Sequence, residues 1–193
     1  KKYALSKIKS VLTALGCSYS CTYCYVSSLI DNLREAYSEV GVRPPSIIQD
    51  RLIETVVQEG EEILALDKIY DVKTTAVFDQ ADISLNNMHW WKQLKNLWVD
   101  RVGIPFYIQA RPAMLAGKKG KQRIKLISDK GLVAGISMAI ESGNPKIRKL
   151  LLDRHESNDI ILDAINNVKE SSIPLRTQCI IGLPVLRPSR VVN

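Results

Sequence analysis

Short, continuously apolar runs alternate along the chain with longer segments in which apolar residues recur every three or four positions. The short runs predict buried strands, because both faces of a central strand in a parallel sheet are covered. The longer segments predict amphipathic helices. The five predicted strands are Ser10–Leu15, Thr74–Phe78, Ile104–Ile108, Val133–Ile140 and Leu175–Ile181.

Helices are predicted in the segments between these strands. Ser46 is expected to cap the second helix, and Asn144 to cap the helix that begins at Pro145. Trp90, Trp91 and Trp98 are expected to pack in the core. The predicted helices are Leu29–Val40, a second one following Ser46, Asn86–Val102, Ile124–Leu132, Pro145–Leu152 and Asp159–Val168.

The alternation of strands and helices predicts repeated βαβ units, and therefore an α/β fold with a parallel sheet. An open doubly wound sheet and a (β/α) barrel both fit the pattern. Polar residues follow the predicted strands at the same end, where barrel enzymes carry their active sites, and this favours a partial barrel. The residues at these strand ends are Cys17, Asp79, Gln80, Asp82, Gln109, Arg111, Glu141, Ser142, Gly182 and Pro184.

The length, apolar content and charge of the chain limit the kinds of protein to which it can belong. The 193 residues suffice for one domain with a sizeable core, and no apolar run approaches the roughly 20 residues of a membrane span. No signal peptide is visible, so a reducing cytoplasm is expected, where clustered cysteines indicate metal binding or catalysis. The net charge is +7, with a basic run over residues 118–125 that is interpreted as a solvated loop leading into a helix rather than a nucleic-acid contact.

Three of the four cysteines, Cys17, Cys21 and Cys24, have the spacing C-x3-C-x2-C. Structural zinc needs four ligands and haem attachment needs C-x-x-C-H, and neither is present here. A 4Fe–4S cluster also takes four ligands, so three cysteines would leave one iron open to a small molecule. Cys179 lies in an apolar run and is expected to be a small buried hydrophobe.

The cysteine spacing, with an aromatic residue just before the third cysteine, resembles that of the radical S-adenosylmethionine (radical SAM) enzymes. "GISMAIESGNP" (Gly135–Pro145) and "CIIGLP" (Cys179–Pro184) extend the resemblance, which runs from about Ser10 to Pro184. "RPPS" and "PFYIQARP" resemble the branch that often carries a cobalamin-binding domain.

The resemblance implies a core of the (β/α)6 type. Because five strands are counted, we expect an incomplete core domain over residues 1–184, a tail over residues 185–193, and flanking domains outside this chain.

The resemblance also implies a chemistry. Cys17, Cys21 and Cys24 would bind a 4Fe–4S cluster, and S-adenosylmethionine would chelate the fourth iron. An electron from a donor such as flavodoxin or ferredoxin would cleave S-adenosylmethionine reductively, and the 5′-deoxyadenosyl radical would abstract hydrogen from an unidentified substrate.

The contacts that the family makes with S-adenosylmethionine can be matched to positions of this sequence one at a time. The second-strand motif here is "FDQAD" rather than Gly-Gly-Glu, so the carboxylate that accepts the methionyl ammonium stays open, and Asp79 and Asp82 are equally interpretable as helix caps. The implied contacts are Tyr23 on the adenine, Asp79, Gln80 and Asp82 on the ammonium, Glu141 and Ser142 on the ribose or methionine end, Ile181 and Gly182 on the adenine through backbone, and Arg111 on the carboxylate.

Three alternatives stay open. The branch resemblance favours a cobalamin-dependent methyltransferase, with cobalamin supplied by a further domain. The positive charge allows a member that modifies RNA. A non-catalytic iron–sulfur protein is the alternative from another class, and it would not produce 5′-deoxyadenosine.

Overall fold

In the computed structural model, which describes residues 3–44, 46, 48–82 and 87–183, a five-stranded parallel sheet organises the chain. A separate two-stranded antiparallel sheet, β2 with β3, lies beside the loop that contains the cysteines. The strands are β1 (Ile8–Val11), β2 (Ala14–Gly16), β3 (Ile48–Asp50), β4 (Ala76–Asp82), β5 (Phe106–Ala110), β6 (Val133–Glu141) and β7 (Leu175–Cys179).

Helices connect the strands of the main sheet. A 3-10 turn over Asp129–Gly131 precedes β6. The helices are α1 (Tyr25–Glu39), α2 (Ile53–Tyr70), α3 (Met88–Arg101), α4 (Pro112–Leu115), α5 (Gly117–Ser128), α6 (Pro145–Leu151) and α7 (Asn158–Glu170). No helix in the described ranges is long and apolar enough to cross a membrane.

The order of strands in the main sheet decides between the two predicted architectures. The order is β1-β4-β5-β6-β7, which is chain order, and every neighbouring pair is parallel. A doubly wound sheet reverses its order at a switch point, whereas a (β/α) barrel continues around in one direction. The predicted α/β fold with a partial parallel barrel is therefore confirmed.

The core lies between the main sheet and its helices. Trp91 and Trp98 of α3 are almost completely buried, and both pack against Phe106 of β5, with ring centroids 5.9 and 4.5 Å apart. The indole of Trp98 donates a hydrogen bond to the carbonyl of Ile104 at 2.7 Å, so its polar atom is satisfied inside the core. The prediction that the tryptophans are core residues is confirmed.

The first predicted strand is wrong in its bounds. The chain leaves the main sheet after Val11 and starts β2 at Ala14. Thr13 lies at this break, where its backbone N–H and hydroxyl both donate to the buried carboxylate of Asp79. These side-chain bonds replace strand pairing and turn the chain toward β3.

Two further sequence predictions are corrected. Ser46 does not cap the second helix, because β3 pairs with β2 first and α2 begins only at Ile53, after Leu52. The basic run is not a loop, since α5 begins at Gly117 and carries the run on its turns.

The cap at Asn144 is confirmed, because its side chain accepts from the N–H groups of Lys146 and Ile147 at 2.9 and 3.3 Å.

Candidate functional site

A cavity of about 670 Å³ opens at the carboxyl ends of the parallel strands. One wall is the cysteine loop, residues 17–24. The opposite wall consists of side chains at the ends of four strands: Gln80, Gln109, Glu141 and Gln178. Because parallel strands end at the same edge of the sheet, residues far apart in sequence meet here.

Cys17, Cys21 and Cys24 all line this cavity, and none of them forms a disulfide. Among the described residues, no three histidine, cysteine or acidic side chains converge on one point as ligands of a single metal ion. A four-iron cluster is larger than one ion, and each of its cysteine ligands binds a different iron. Three reduced thiols facing one open cavity therefore fit a cluster better than they fit a single ion.

The cysteine loop is hydrogen-bonded to the last residue of α6 and to the connection between α6 and α7, residues 152–157. The Thr22 N–H donates to the carbonyl of Leu152 at 3.4 Å, and the Thr22 hydroxyl donates to the carbonyl of Leu151. The Ser20 hydroxyl donates to the Asp153 carboxylate at 2.5 Å, and this bond, together with one from His155, lowers the pKa of Asp153. The loop is thus positioned by residues from the other end of the described chain.

Arg111 and Glu156 form a buried ion pair behind the cysteine loop. The Nε and Nη2 groups of Arg111 donate to the two carboxylate oxygens of Glu156 at 2.7 and 3.1 Å. Its Nη1 donates to Cys21 Sγ at 3.5 Å, and its guanidinium lies 3.7 Å from the ring centroid of Tyr19. Burial opposes the charge on both partners, but their mutual attraction outweighs it, raising the pKa of Arg111 and lowering the pKa of Glu156.

Tyr23, Glu141 and Arg154 form a second polar cluster in the cavity wall. The Tyr23 hydroxyl donates to Glu141 Oε1 at 2.7 Å, and Arg154 Nη1 donates to the Tyr23 oxygen at 3.0 Å. Arg154 is only 4% exposed in its side chain and also donates to the carbonyl of Ala139 at 2.7 Å. Burial, followed by the bond to Glu141, raises the pKa of Tyr23, so the phenol stays protonated as a donor.

The three candidates on the second predicted strand, Asp79, Gln80 and Asp82, differ in where the structure places them. Gln80 lines the cavity, and the side chain of Asp82 lies outside the part of the chain that the structure describes. Asp79 is fully buried and accepts from Thr13 and from the N–H of Ala81 at 3.0 Å, so the structure does not bring its carboxylate to the cavity wall. Asp79 is not a helix cap either, because Asn87 caps α3.

The remaining predicted contacts, Ser142, Ile181 and Gly182, are not among the residues that line the cavity. Ser142 accepts a bond from the N–H of Asn144 at 3.2 Å and does not line the cavity. Ile181 is 95% exposed, and Gly182 has a left-handed backbone with φ of 79°. Cys179 is exposed rather than buried as predicted, because β7 is the edge strand of the described sheet.

The family model of the radical SAM superfamily matches residues 11–192. The chain belongs to the radical SAM superfamily. The predicted family is confirmed, and with it a general radical SAM function that implies an iron–sulfur cluster and S-adenosylmethionine. No curated protein matches the chain. The match gives no support to cobalamin, and it extends past the predicted core boundary at residue 184 into residues that the structure does not describe.

Sequence reasoning missed the residues of the α6–α7 connection that contact the cavity and the cysteine loop. Arg154 and Glu156 contact the cavity wall and the cysteine loop, and Arg148 supports both by donating to the carbonyl of Glu156 at 3.0 Å. The one available signal was the charged run "DRHES" in the short connection between the two predicted helices. Charge alone does not reveal that the residues are buried.

Proposed function

We propose that this chain holds a 4Fe–4S cluster on Cys17, Cys21 and Cys24 and binds S-adenosylmethionine in the adjoining cavity. The bound cluster would supply the electron that cleaves S-adenosylmethionine to a 5′-deoxyadenosyl radical, which abstracts hydrogen from a substrate. The observation that carries the proposal is the meeting of three reduced thiols and the Glu141 carboxylate in one cavity at the carboxyl ends of the strands.

The chain's own residues bind and orient the cofactor. Glu141 offers a carboxylate to the ribose hydroxyls or the methionyl ammonium, and Tyr23 offers its ring to the adenine. Gln80 lines the cavity and Asp79 does not, so Gln80 is favoured over Asp79 as a contact. Asp82, Ser142, Ile181 and Gly182 stay predicted contacts. The ion pair with Glu156 favours a different role for Arg111 than binding the carboxylate of S-adenosylmethionine.

An electron donor must reach the cluster for this reaction. We propose a small redox protein such as a flavodoxin or ferredoxin, because the reaction consumes one electron at low potential. The hydrogen atom that the radical abstracts comes from an unidentified substrate.

The test is anaerobic reconstitution followed by two assays. Wild-type protein should retain about four irons per chain, and with dithionite as reductant it should convert S-adenosylmethionine to methionine and 5′-deoxyadenosine, the radical taking its hydrogen atom from a buffer component or the protein because no substrate is present. Cys17→Ala, Cys21→Ala and Cys24→Ala should each lose the iron and the product.

The control variant is Cys179→Ala, which removes an exposed thiol outside the cavity and should behave as wild type. A cluster without 5′-deoxyadenosine formation would support an iron–sulfur protein without this chemistry. Loss of iron in Cys179→Ala would contradict the three assigned ligands.

A further inference from the structure

We propose that Arg111 is a positioning residue for the cluster, which hydrogen-bonds the sulfur ligand Cys21 and, together with Glu156, tunes the reduction potential of the cluster. This inference rests on the proposed function, because it assumes that Cys21 ligates iron. It assigns to Arg111 a role different from the contact with S-adenosylmethionine that its position in sequence implied.

The guanidinium of Arg111 is fixed by contacts on three sides. Its side chain is 6% exposed, and its Nη1 lies 3.5 Å from Cys21 Sγ. Glu156 engages Nε and Nη2 in a fork, and the ring of Tyr19 covers one face at 3.7 Å. A planar, bidentate arginine held in this way loses little further conformational freedom when it donates to sulfur.

The fixed donor has an electrostatic consequence. Reduction adds negative charge to a cluster and its thiolates, and hydrogen bonds to the sulfurs together with nearby net charge are among the factors that set the potential. A cation at Cys21 stabilises the reduced form. The effect is stronger at a buried site than at the surface, because solvent screens it less.

Glu156 holds Arg111 in place, but its negative charge has the opposite effect on the reduction potential of the cluster. Its carboxylate partly neutralises the guanidinium and is itself close to Arg154, with Oε1 3.7 Å from Arg154 Nη2. Removal of the carboxylate charge leaves two cations near the cysteine loop. The two members of the pair should therefore shift the potential in opposite directions when each is neutralised.

The experiment is a redox titration of the reconstituted full chain, followed by the electron paramagnetic resonance signal of the reduced cluster. Arg111→Met should make the potential more negative, so that the ratio of reduced to oxidised cluster at a fixed potential falls about tenfold, which corresponds to about 59 mV for one electron. Glu156→Gln should make the potential more positive.

The matched control is the surface pair of Arg101 and Glu61. It has the same fork geometry, with both bonds at 2.9 Å, but it joins α2 and α3 away from the cavity. Arg101→Met and Glu61→Gln should leave the potential unchanged.

The possible results distinguish a failure of the role of Arg111 from a failure of the proposed function. If wild-type protein takes up no iron, the proposed function fails. If the wild type holds a cluster and both variants keep its potential, or both move it in the same direction, Arg111 and Glu156 are merely structural and the inference is overturned. If Arg111→Met does not fold, Glu156→Gln decides alone, and absence of a positive shift overturns the inference.

Discussion

Glu141 has a backbone conformation that glutamate seldom adopts. Its φ is 66°, in the left-handed region, and such residues cost on the order of 1–3 kcal/mol of strain. The surrounding contacts hold it there, since its carbonyl accepts from the N–H of Ile180 at 2.8 Å and its carboxylate accepts from Tyr23. The strained backbone places Glu141, whose side chain is only 12% exposed, in the cavity wall before any ligand binds.

At the scale of this residue, Glu141→Gln should weaken the binding of S-adenosylmethionine about tenfold or more. A charge-assisted hydrogen bond contributes roughly 1.5–3 kcal/mol, and each 1.4 kcal/mol is about a factor of ten in affinity. The substitution keeps the shape of the side chain and touches no cysteine, so iron content should not change. Calorimetric titration of S-adenosylmethionine into the reconstituted proteins measures the difference.

Glu170→Gln is the control for the Glu141 substitution, because it removes an exposed carboxylate that pairs with Lys121 outside the cavity. It should bind with the affinity of wild type. Equal affinities for all three proteins at equal iron content would show that Glu141 has no contact with S-adenosylmethionine.

At the scale of elements, most strands of the main sheet could be predicted from continuous apolar runs in the sequence. The strands β4, β5 and β6 were placed within a few residues, because buried strands in a parallel sheet must be apolar on both faces. The predicted strand at β7 was also placed correctly, although most residues of this edge strand are exposed. β3 was missed because its three residues, Ile48–Asp50, have no apolar pattern and exist as a strand only through pairing with β2. Burial of Asp79 was missed because its partner, Thr13, is distant in sequence.

The close approach of α4 and α5 depends on Gly120. A Cβ added there would lie 2.1 Å from the backbone carbonyl of Leu115, which cannot move aside as a side-chain tip could. Gly120→Ala should therefore destabilise the fold by about 1–3 kcal/mol through overpacking, although alanine favours a helix by up to about 1 kcal/mol. Urea unfolding followed by circular dichroism measures the change.

Gly143→Ala is the control for this test of packing. No atom lies within 4 Å of its added Cβ, so the change should be neutral or stabilise by about 0.4–1 kcal/mol. If Gly120→Ala proves as stable as wild type, α4 and α5 can move apart without loss of stability, and their close packing is not required for the fold.

At the scale of the whole molecule, the site is a junction between distant parts of the chain. The cysteine loop follows β2, and the residues that fasten it follow α6. Family motifs in the sequence indicated the cysteines, Glu141 and Arg111, but not that Arg111 is buried in an ion pair with Glu156. Which charged residues become buried is decided by tertiary packing, and a local pattern does not contain that information.

This junction predicts a pH dependence of stability. Attraction to Arg111 outweighs burial and lowers the pKa of Glu156 below its ordinary value, so the folded state binds the proton less readily than the unfolded state does. The stabilisation is therefore complete above the ordinary glutamate pKa and is lost as the pH falls through the lowered value. Urea unfolding of cluster-free protein over an acidic pH series should show this loss.

Glu156→Gln should lose about 3–5 kcal/mol at neutral pH, because it leaves the buried Arg111 cation without its counter-charge. Its stability should then fall less steeply with acid than that of wild type. Glu170→Gln should follow the wild-type curve. Parallel acid curves for wild type and Glu156→Gln would mean that this pair does not link protonation to folding.

The fastening of the cysteine loop also constrains the order of events during synthesis. Its hydrogen bonds join residues that are 129 and 133 positions apart, and such long closures cost chain entropy before their contacts can stabilise them. A ribosome releases the cysteines well before it releases the α6–α7 connection. The nascent chain therefore presents three unshielded thiols until that connection has been made and docked. Because that connection also fixes the position of the cysteine loop, stable binding of an iron–sulfur cluster should follow folding of the sheet rather than precede it.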